Sequence, residues 1–90
     1  MLHVRWTTHA LQGLADRGID RDEADKTLAD PERTAPGHGQ RVVSMRRYYD
    51  QDLDQQMLLC VVTETRGDET AVVTVYKTSR IDRYLGGGQR

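Results

Sequence analysis

The sequence has little cysteine, no long apolar run and almost no net charge. Cys60 is the single cysteine among 90 residues, which excludes an internal disulfide and, from this residue alone, a thiolate zinc site. The longest apolar run, residues 57–62, is far shorter than the roughly 20 residues of a membrane-spanning helix. The first residues do not resemble a secretory signal, so we expect a cytoplasmic protein without membrane contact.

Motifs for metal ions and for phosphate loops are missing as well. The histidines His3, His9 and His38 are scattered, and no two of them have the spacing of a metal motif. The glycine run at residues 86–88 opens no helix, so it does not resemble a phosphate-binding loop. We therefore predict no metal and no cofactor. Cys60, inside a run of Leu and Val, is expected to be a buried, inert thiol.

The net charge of -1 comes from 13 basic and 14 acidic residues. Proteins that bind nucleic acid through bulk electrostatics are basic, so this balance argues against a general RNA binder. The charges are unevenly distributed, however, because residues 1–32 carry -3 and residues 33–90 carry +2. A nucleic-acid site would have to lie in the second part and hold one or two phosphates.

The N-terminal part predicts two helices. A threonine pair at residues 7–8 can cap the first helix, Leu11 and Leu14 form its apolar stripe, and Gly18 can end it. A second helix follows and stops at the Asp-Pro step of residues 30–31, because the residue before a proline is driven out of the helical region.

The chain beyond the loop at residues 36–39 changes to a strand-like pattern. Residues 41–49, 56–65 and 70–77 are rich in Val, Thr, Tyr and Leu. Their short connections predict an antiparallel meander. In the last strand, alternation assigns Val73 and Val75 to the core.

We thus predict one α+β domain over residues 1–85, followed by a disordered glycine-rich tail at residues 86–90. An N-terminal helical hairpin packs on one face of a small, three- to four-stranded antiparallel sheet. The other face stays open and presents Thr74 and Tyr76, with Lys77 at the end of the strand.

The first group of candidate functional residues lies in the first helix. His9, Gly13 and Arg17 are four residues apart and share one stripe. Histidine can exchange protons near neutral pH, and arginine can hold a phosphate bidentately. Alternatively, His9 belongs to the first turn and Arg17 only complements the helix C-terminus, where cations are favoured.

The second group is the C-terminal string, which brings cations, hydroxyls and phenols to one strand end. Its members are Thr74, Tyr76, Lys77, Ser79 and Arg80, followed by Arg83 and Tyr84. Such a set suits a phosphodiester and a stacked base. Alternatively, the tyrosines are half-buried aromatics and the charges form a solvated rim.

The third group is the adjacent pair Arg46 and Arg47. Alternation places one cation on each face of the strand, which is typical of a protected edge strand. Only one of the two can point toward the open face with Thr74 and Tyr76.

Several of these residues resemble the motifs of a known family. Three segments are similar to the opening of a bacterial domain of unknown function. They are the run Trp-Thr-Thr-His-Ala-Leu at residues 6–11, the run Asp-Arg-Gly-Ile at 16–19 and the Asp-Pro step at 30–31. The run Val-Thr-Val-Tyr-Lys-Thr-Ser at 73–79 resembles the last strand of that domain. The family is grouped with RelE-like and BrnT-like toxins, in the fold group of the barnase-, EndoU- and colicin-type ribonucleases.

This resemblance implies a RelE-like fold and a metal-independent endoribonuclease, the toxin of a toxin–antitoxin system. The RNA 2′-hydroxyl would attack the adjacent phosphorus, with RNA, on the ribosome, and an antitoxin protein as partners. His9 would be the acid/base group and Arg17 the phosphate clamp, and Tyr76 and Lys77 would complete the catalytic set. The implied substrate-binding residues are Arg47, Thr74, Ser79, Arg80 and Tyr84.

Gly13 departs from the family pattern, because many members carry a cation at this position. The alternative function is a non-catalytic module that binds RNA or a protein on the same scaffold. A nuclease is expected to cleave RNA in EDTA, whereas a binding module is expected to show saturable binding with a shallow salt dependence.

Overall fold

Residues 3–85 are described by the computed structural model, and the predicted tail at residues 86–90 lies outside them. Five strands form one mixed sheet in the order β1-β5-β4-β3-β2. No helix of this part of the chain is long and apolar enough to cross a membrane. The elements in chain order are β1 (His3–Trp6), α1 (Thr8–Arg17), α2 (Arg21–Ala29), β2 (Arg33–Pro36), β3 (Arg41–Asp50), β4 (Gln55–Arg66), β5 (Glu69–Thr78) and α3 (Ile81–Leu85).

The predicted architecture is wrong, because it missed both outer strands of the sheet. The chain begins with β1, which pairs parallel to β5, so the sheet is mixed and the helical hairpin is not N-terminal. Five strands replace the expected three or four antiparallel ones of a RelE-like form. β1 and β2 have four residues each, too few to show the alternation by which a strand is recognised. β3, β4 and β5 do pair antiparallel.

Helix α1 is fixed at both ends by the residues that the sequence indicates. The Thr7 hydroxyl accepts a hydrogen bond from the Ala10 N–H at 3.1 Å and donates one to the Val72 carbonyl at 2.8 Å. One side chain therefore caps the helix and ties its start to β5. Gly18 ends the helix at φ 62°, a left-handed conformation that glycine adopts without strain.

A first core lies between the two helices and one face of the sheet. The buried stripe of α1 is Ala10, Gly13 and Leu14, whereas Leu11, which we expected there, is 44% exposed. Spacing alone did not distinguish the two stripes, because both contain Leu14. The buried members of this core are Ala10, Leu14, Ile19, Ala24, Tyr48, Met57, Leu59, Val61, Val72 and Val75.

A β-bulge decides which valines of β5 face this core. The pairing of β5 with β4 skips Val73, which lies between Val72 and Thr74. Val72 and Val75 are consequently both fully buried under the helices, in place of the predicted Val73 and Val75. Simple alternation failed because a bulge inserts one extra residue and reverses the faces beyond it.

The second face of the sheet is covered by α3 and is not open as predicted. A smaller core there contains Met45, Leu58 and Cys60, with Ala35, Val43, Tyr76, Ile81, Tyr84 and Leu85 packed against it. Tyr76 and Tyr84 are thus half-buried aromatics, the structural alternative given above. Cys60 is fully buried, which confirms the expected burial, and burial raises the pKa of its thiol to about 11.

Gly13 lies on the face of α1 that packs against Val75 of β5. A Cβ atom at this position would be 3.4 Å from Val75 Cγ2 and 3.4 Å from Arg17 Nη1. These distances admit one methyl group but no branched side chain. The close approach has an energetic cost, because glycine has a low helix propensity and destabilises α1 relative to alanine.

We expect Gly13→Ala to raise the free energy of unfolding by up to about 1 kcal/mol, because alanine favours the helix and restricts the unfolded chain. Gly13→Leu should lower it, because the larger side chain would push α1 away from Val75. Urea unfolding followed by circular dichroism measures both. A clear loss of stability for Gly13→Ala would contradict the predicted fit of the methyl group.

Candidate functional site: two faces of the sheet

The predicted site residues are divided between the two faces of the sheet. We call the face covered by α1 and α2 the helix side and the face covered by α3 the α3 side. Tyr76 packs in the core of the α3 side, and its neighbour Lys77 points to the helix side, where it meets Asp50 and Gly18. Successive residues of a strand point to opposite faces, so these two side chains cannot share a site.

The helix side holds three of the four predicted catalytic residues. His9 and Arg17 are exposed at opposite ends of α1, and the buried Gly13 lies between them. The Arg17 guanidinium bends back along the helix toward Gly13. The described residues therefore do not bring His9, Arg17, Tyr76 and Lys77 to one point, because Tyr76 is on the other face.

Lys77 is bound by a carboxylate of the protein itself. Its Nζ donates to Asp50 Oδ2 at 2.6 Å and to the Gly18 carbonyl at 3.4 Å. Only 15% of the Lys77 side chain and 3% of the Asp50 side chain are exposed. The Tyr48 hydroxyl donates to the same carboxylate oxygen at 2.9 Å, and the Leu53 N–H donates to the other at 3.1 Å.

These contacts fix the ionisation of the network. The hydrogen bond from Lys77 is the main cause that holds the pKa of Asp50 down to about 2. Burial is the main cause that raises the pKa of the Tyr48 phenol, and its hydrogen bond to Asp50 is the second. Asp50 is therefore ionised and Tyr48 neutral around neutral pH, which makes the network a structural ion pair and not an acid/base pair.

The surroundings of this network are unfavourable for phosphate. A cleft of about 240 Å³ borders it, and the carboxylates of Asp20, Glu23 and Asp52 line that cleft. Within residues 3–85, no three metal-ligating side chains are grouped so that they could hold a metal ion. An RNA backbone would thus meet negative charge at this end of the helix side.

The predicted substrate-binding residues do lie together on the α3 side. Arg47 and Thr74 point to this face from β3 and β5. Arg47 pairs with Leu58, a member of the core on the α3 side, and Thr74 lies two residues before Tyr76, which packs against the same core. Ser79 and Arg80 lead into α3, and Tyr84 belongs to it. Thr74 and Tyr84 are half-buried, which leaves the arginines as the main groups facing solvent.

Two adjoining clefts flank the start of α3 and share Ile81 and Asp82. One, of about 490 Å³, is lined by Ser79, Arg80 and Arg83. The other, of about 360 Å³, is lined by Glu32, Arg33, Arg47 and Leu85. We call the area of Arg33, Arg47, Arg80 and Arg83 the α3 surface.

The arginines of the α3 surface differ in how firmly they are held. Arg47 Nη2 lies 2.9 Å from Glu32 Oε1, and the hydrogen bonds from Arg47 lower the pKa of Glu32. Arg33 Nη1 donates to the Tyr84 carbonyl at 2.9 Å, which ties α3 to β2. In the part of the chain that the structure describes, Arg80 and Arg83 take part in no ion pair.

The α3 surface therefore carries a positive excess, since its four arginines face two carboxylates, Glu32 and Asp82. The sequence analysis missed Arg33, and it named Arg83 in the C-terminal string without including it among the site residues. Arg33 lies on β2, a strand too short to be recognised, so no pattern assigned it to a face. Arg83 lies on the short helix α3, for which no secondary structure was predicted.

A family described as "Domain of unknown function (DUF4258)" matches residues 6–77 of the chain. This range contains His9, Arg17 and Arg47, whereas α3 lies beyond it. The match confirms the predicted membership of an uncharacterised domain family. No curated protein and no solved structure matches the chain.

Asp50→Asn is expected to lower the free energy of unfolding at neutral pH by about 3 kcal/mol, because it leaves the largely buried Lys77 ammonium without a carboxylate. The folded pKa of Asp50, about 2, lies below its ordinary 3.8. Its stabilising contribution is therefore present above about pH 4 and is lost as the pH falls toward 2. Urea unfolding of both proteins across this range measures the difference.

The double variant Asp50→Asn/Lys77→Met is the matched control. It removes both charges, so it should recover much of the stability that the single variant loses. If both variants lose equally, or if the difference from the unmodified protein persists at low pH, the ion pair does not stabilise the fold as its geometry indicates.

Proposed function

The chain belongs to the DUF4258 family of domains of unknown function, and from the arrangement of its arginines we propose that it binds RNA through the α3 surface. One observation carries this proposal. Arg33, Arg47, Arg80 and Arg83 come from two strands and from the α3 segment, and they surround two adjoining clefts.

Guanidinium groups suit this role because they bind phosphate oxygens through two parallel hydrogen bonds. Arg80 and Arg83 are exposed, and the Ser79 hydroxyl beside them can contribute a further hydrogen bond. The opposite side of the molecule has an acidic cleft, so the charge distribution favours the α3 surface as the contact for a polyanion. At most four phosphates can be contacted, which corresponds to a shallow salt dependence.

Metal-independent cleavage, the role of a toxin and kinship with RelE-like and BrnT-like toxins stay predictions from the resemblance, as do an antitoxin and the ribosome. A cytoplasmic location also stays a prediction. An RNA strand on the α3 surface would be separated by the sheet from His9, Arg17 and Lys77. Lys77 is in addition paired with Asp50. Binding without cleavage is therefore the form of the proposal that the geometry favours.

We expect the double variant Arg80→Gln/Arg83→Gln to bind a fluorescent single-stranded RNA oligonucleotide about tenfold more weakly, because it loses two phosphate contacts. For the unmodified protein, log K should fall with log salt with a slope of about -2 to -3, and the variant should have a slope smaller by about 1.4. Fluorescence anisotropy over a salt series measures both quantities.

Lys26→Gln/Arg66→Gln is the matched control, because it removes two positive charges from exposed positions outside the α3 surface. It should bind within about twofold of the unmodified protein. The absence of binding at low salt, or an equal loss in the control, would overturn the proposal.

The same oligonucleotide incubated in EDTA separates binding from cleavage. Binding alone leaves the RNA intact. Products that end in a 2′,3′-cyclic phosphate, and that disappear in His9→Ala, would overturn binding without chemistry and establish the predicted ribonuclease.

A further inference from the structure

Tyr49 is exposed, whereas the other three tyrosines are packed in the cores. Tyr48 lies in the core of the helix side, and Tyr76 and Tyr84 pack against the core of the α3 side. Tyr49 remains 55% exposed. A large aromatic side chain in water contributes little to the stability of the fold, and its exposed ring offers a surface on which a ligand can pack.

Tyr49 points to the same face as the α3 surface. Strand β3 pairs with β4 without a bulge, Met45 lies in the core of the α3 side, and Tyr48 lies on the helix side. Arg47 and Tyr49 therefore project from the α3 side, two residues and about 6.6 Å apart along the strand.

Tyr49 borders the α3 surface at Arg47, its neighbour on the same face of β3. Arg47 pairs with Leu58, and Leu58 pairs with Thr78, the last residue of β5. Beyond Thr78 the chain turns, with the Arg80 N–H donating to the Thr78 hydroxyl at 3.1 Å, and leads into α3. Arg47 and Tyr49 thus lie on the face of the sheet that α3 covers.

The hydroxyl group of Tyr49 is hydrogen-bonded within the protein. Its hydroxyl donates a hydrogen bond to Asp54 in the turn between β3 and β4, and this bond raises the pKa of the phenol. Asp54 has φ 54°, a left-handed conformation that few residues other than glycine adopt. The turn thus fixes a carboxylate that orients the ring, while the faces of the ring stay available to a ligand.

We propose that Tyr49 stacks on an unpaired base of an RNA strand whose phosphates bind Arg47 and Arg80. This inference rests on the proposed function and names its ligand as a single strand. Bases in a duplex are stacked on one another, whereas unpaired bases are free to stack on an aromatic side chain. Stacking also supplies affinity that four arginines, two of them held by Glu32 and by Tyr84, do not provide by charge alone.

The variants Tyr49→Ala and Tyr49→Phe test this role. Tyr49→Ala should weaken binding of a single-stranded RNA oligonucleotide about tenfold, because it removes the stacking surface. Tyr49→Phe retains the ring and loses only the bond to Asp54, so it should bind within about twofold of the unmodified protein. Inorganic polyphosphate, which has phosphates and no bases, should bind all three proteins equally, and an RNA duplex should bind the unmodified protein more weakly than the single strand does.

The possible results separate this inference from the proposed function. If Tyr49→Ala binds single-stranded RNA normally while Arg80→Gln/Arg83→Gln does not, stacking is refuted and RNA binding stands. If Tyr49→Ala loses polyphosphate binding as well, the residue acts on the surface in general and the inference is refuted. If the unmodified protein binds neither RNA nor polyphosphate, the proposed function itself fails. Thermal unfolding by circular dichroism confirms that each variant is folded.

Discussion

The ion pair between Lys77 and Asp50 joins more of this fold than any other polar contact. Lys77 is the last residue but one of β5, Asp50 is the last residue of β3, and the Lys77 ammonium also reaches the carbonyl of Gly18, the C-cap of α1. Asp50 also accepts the Leu53 N–H of the following turn. A buried pair of this kind adds modest net stability, but the loss of one partner leaves the other charge uncompensated, so either single substitution should weaken the contact between these four segments.

That contact in turn depends on the bulge at Val73. Without the extra residue, the face of Val72 would continue through Thr74 and Tyr76, and Lys77 would point to the α3 side. With it, Val75 and Lys77 follow Val72 on the helix side. One inserted residue thus buries the lysine beside Asp50 and moves Tyr76 to the opposite core. The bulge thus decides that Lys77, and not Tyr76, shares the helix side with His9 and Arg17.

The parts of the fold that were predictable are those fixed by local chemistry. The ends of α1 follow from a threonine cap and from Gly18, and the fate of Cys60 follows from its apolar neighbours. β1 and β2 were not predictable, because four residues show no period, and their pairing partners lie elsewhere in the chain. The ion pair of Asp50 was not predictable either. Aspartate is common before turns, so its presence there indicates no ion pair, and its partner Lys77 is 27 residues away in the sequence.

The candidate site shows the same division. Arg47, Ser79 and Arg80 were selected because charge and hydroxyls cluster in the sequence, and they do lie on one side of the sheet. Tyr84 was chosen as a site residue and Tyr49 was not, because alternation gives the face of a residue but not whether a later segment covers it. Tyr84 is half-buried as part of α3 itself, and Tyr49, near the turn, is not covered.

The net charge of -1 is the sum of positive and negative groups that lie on different sides of the sheet. Carboxylates line the cleft at the end of α1, and unpaired arginines lie at the start of α3, so the charge is separated across the sheet. A polyanion would be attracted to one face and repelled from the other, which orients it although the total charge is nearly zero. Since so few phosphates can be neutralised, the selectivity of such a surface has to depend on contacts with the bases. An exposed, oriented aromatic ring beside the arginines is the side chain suited to provide them.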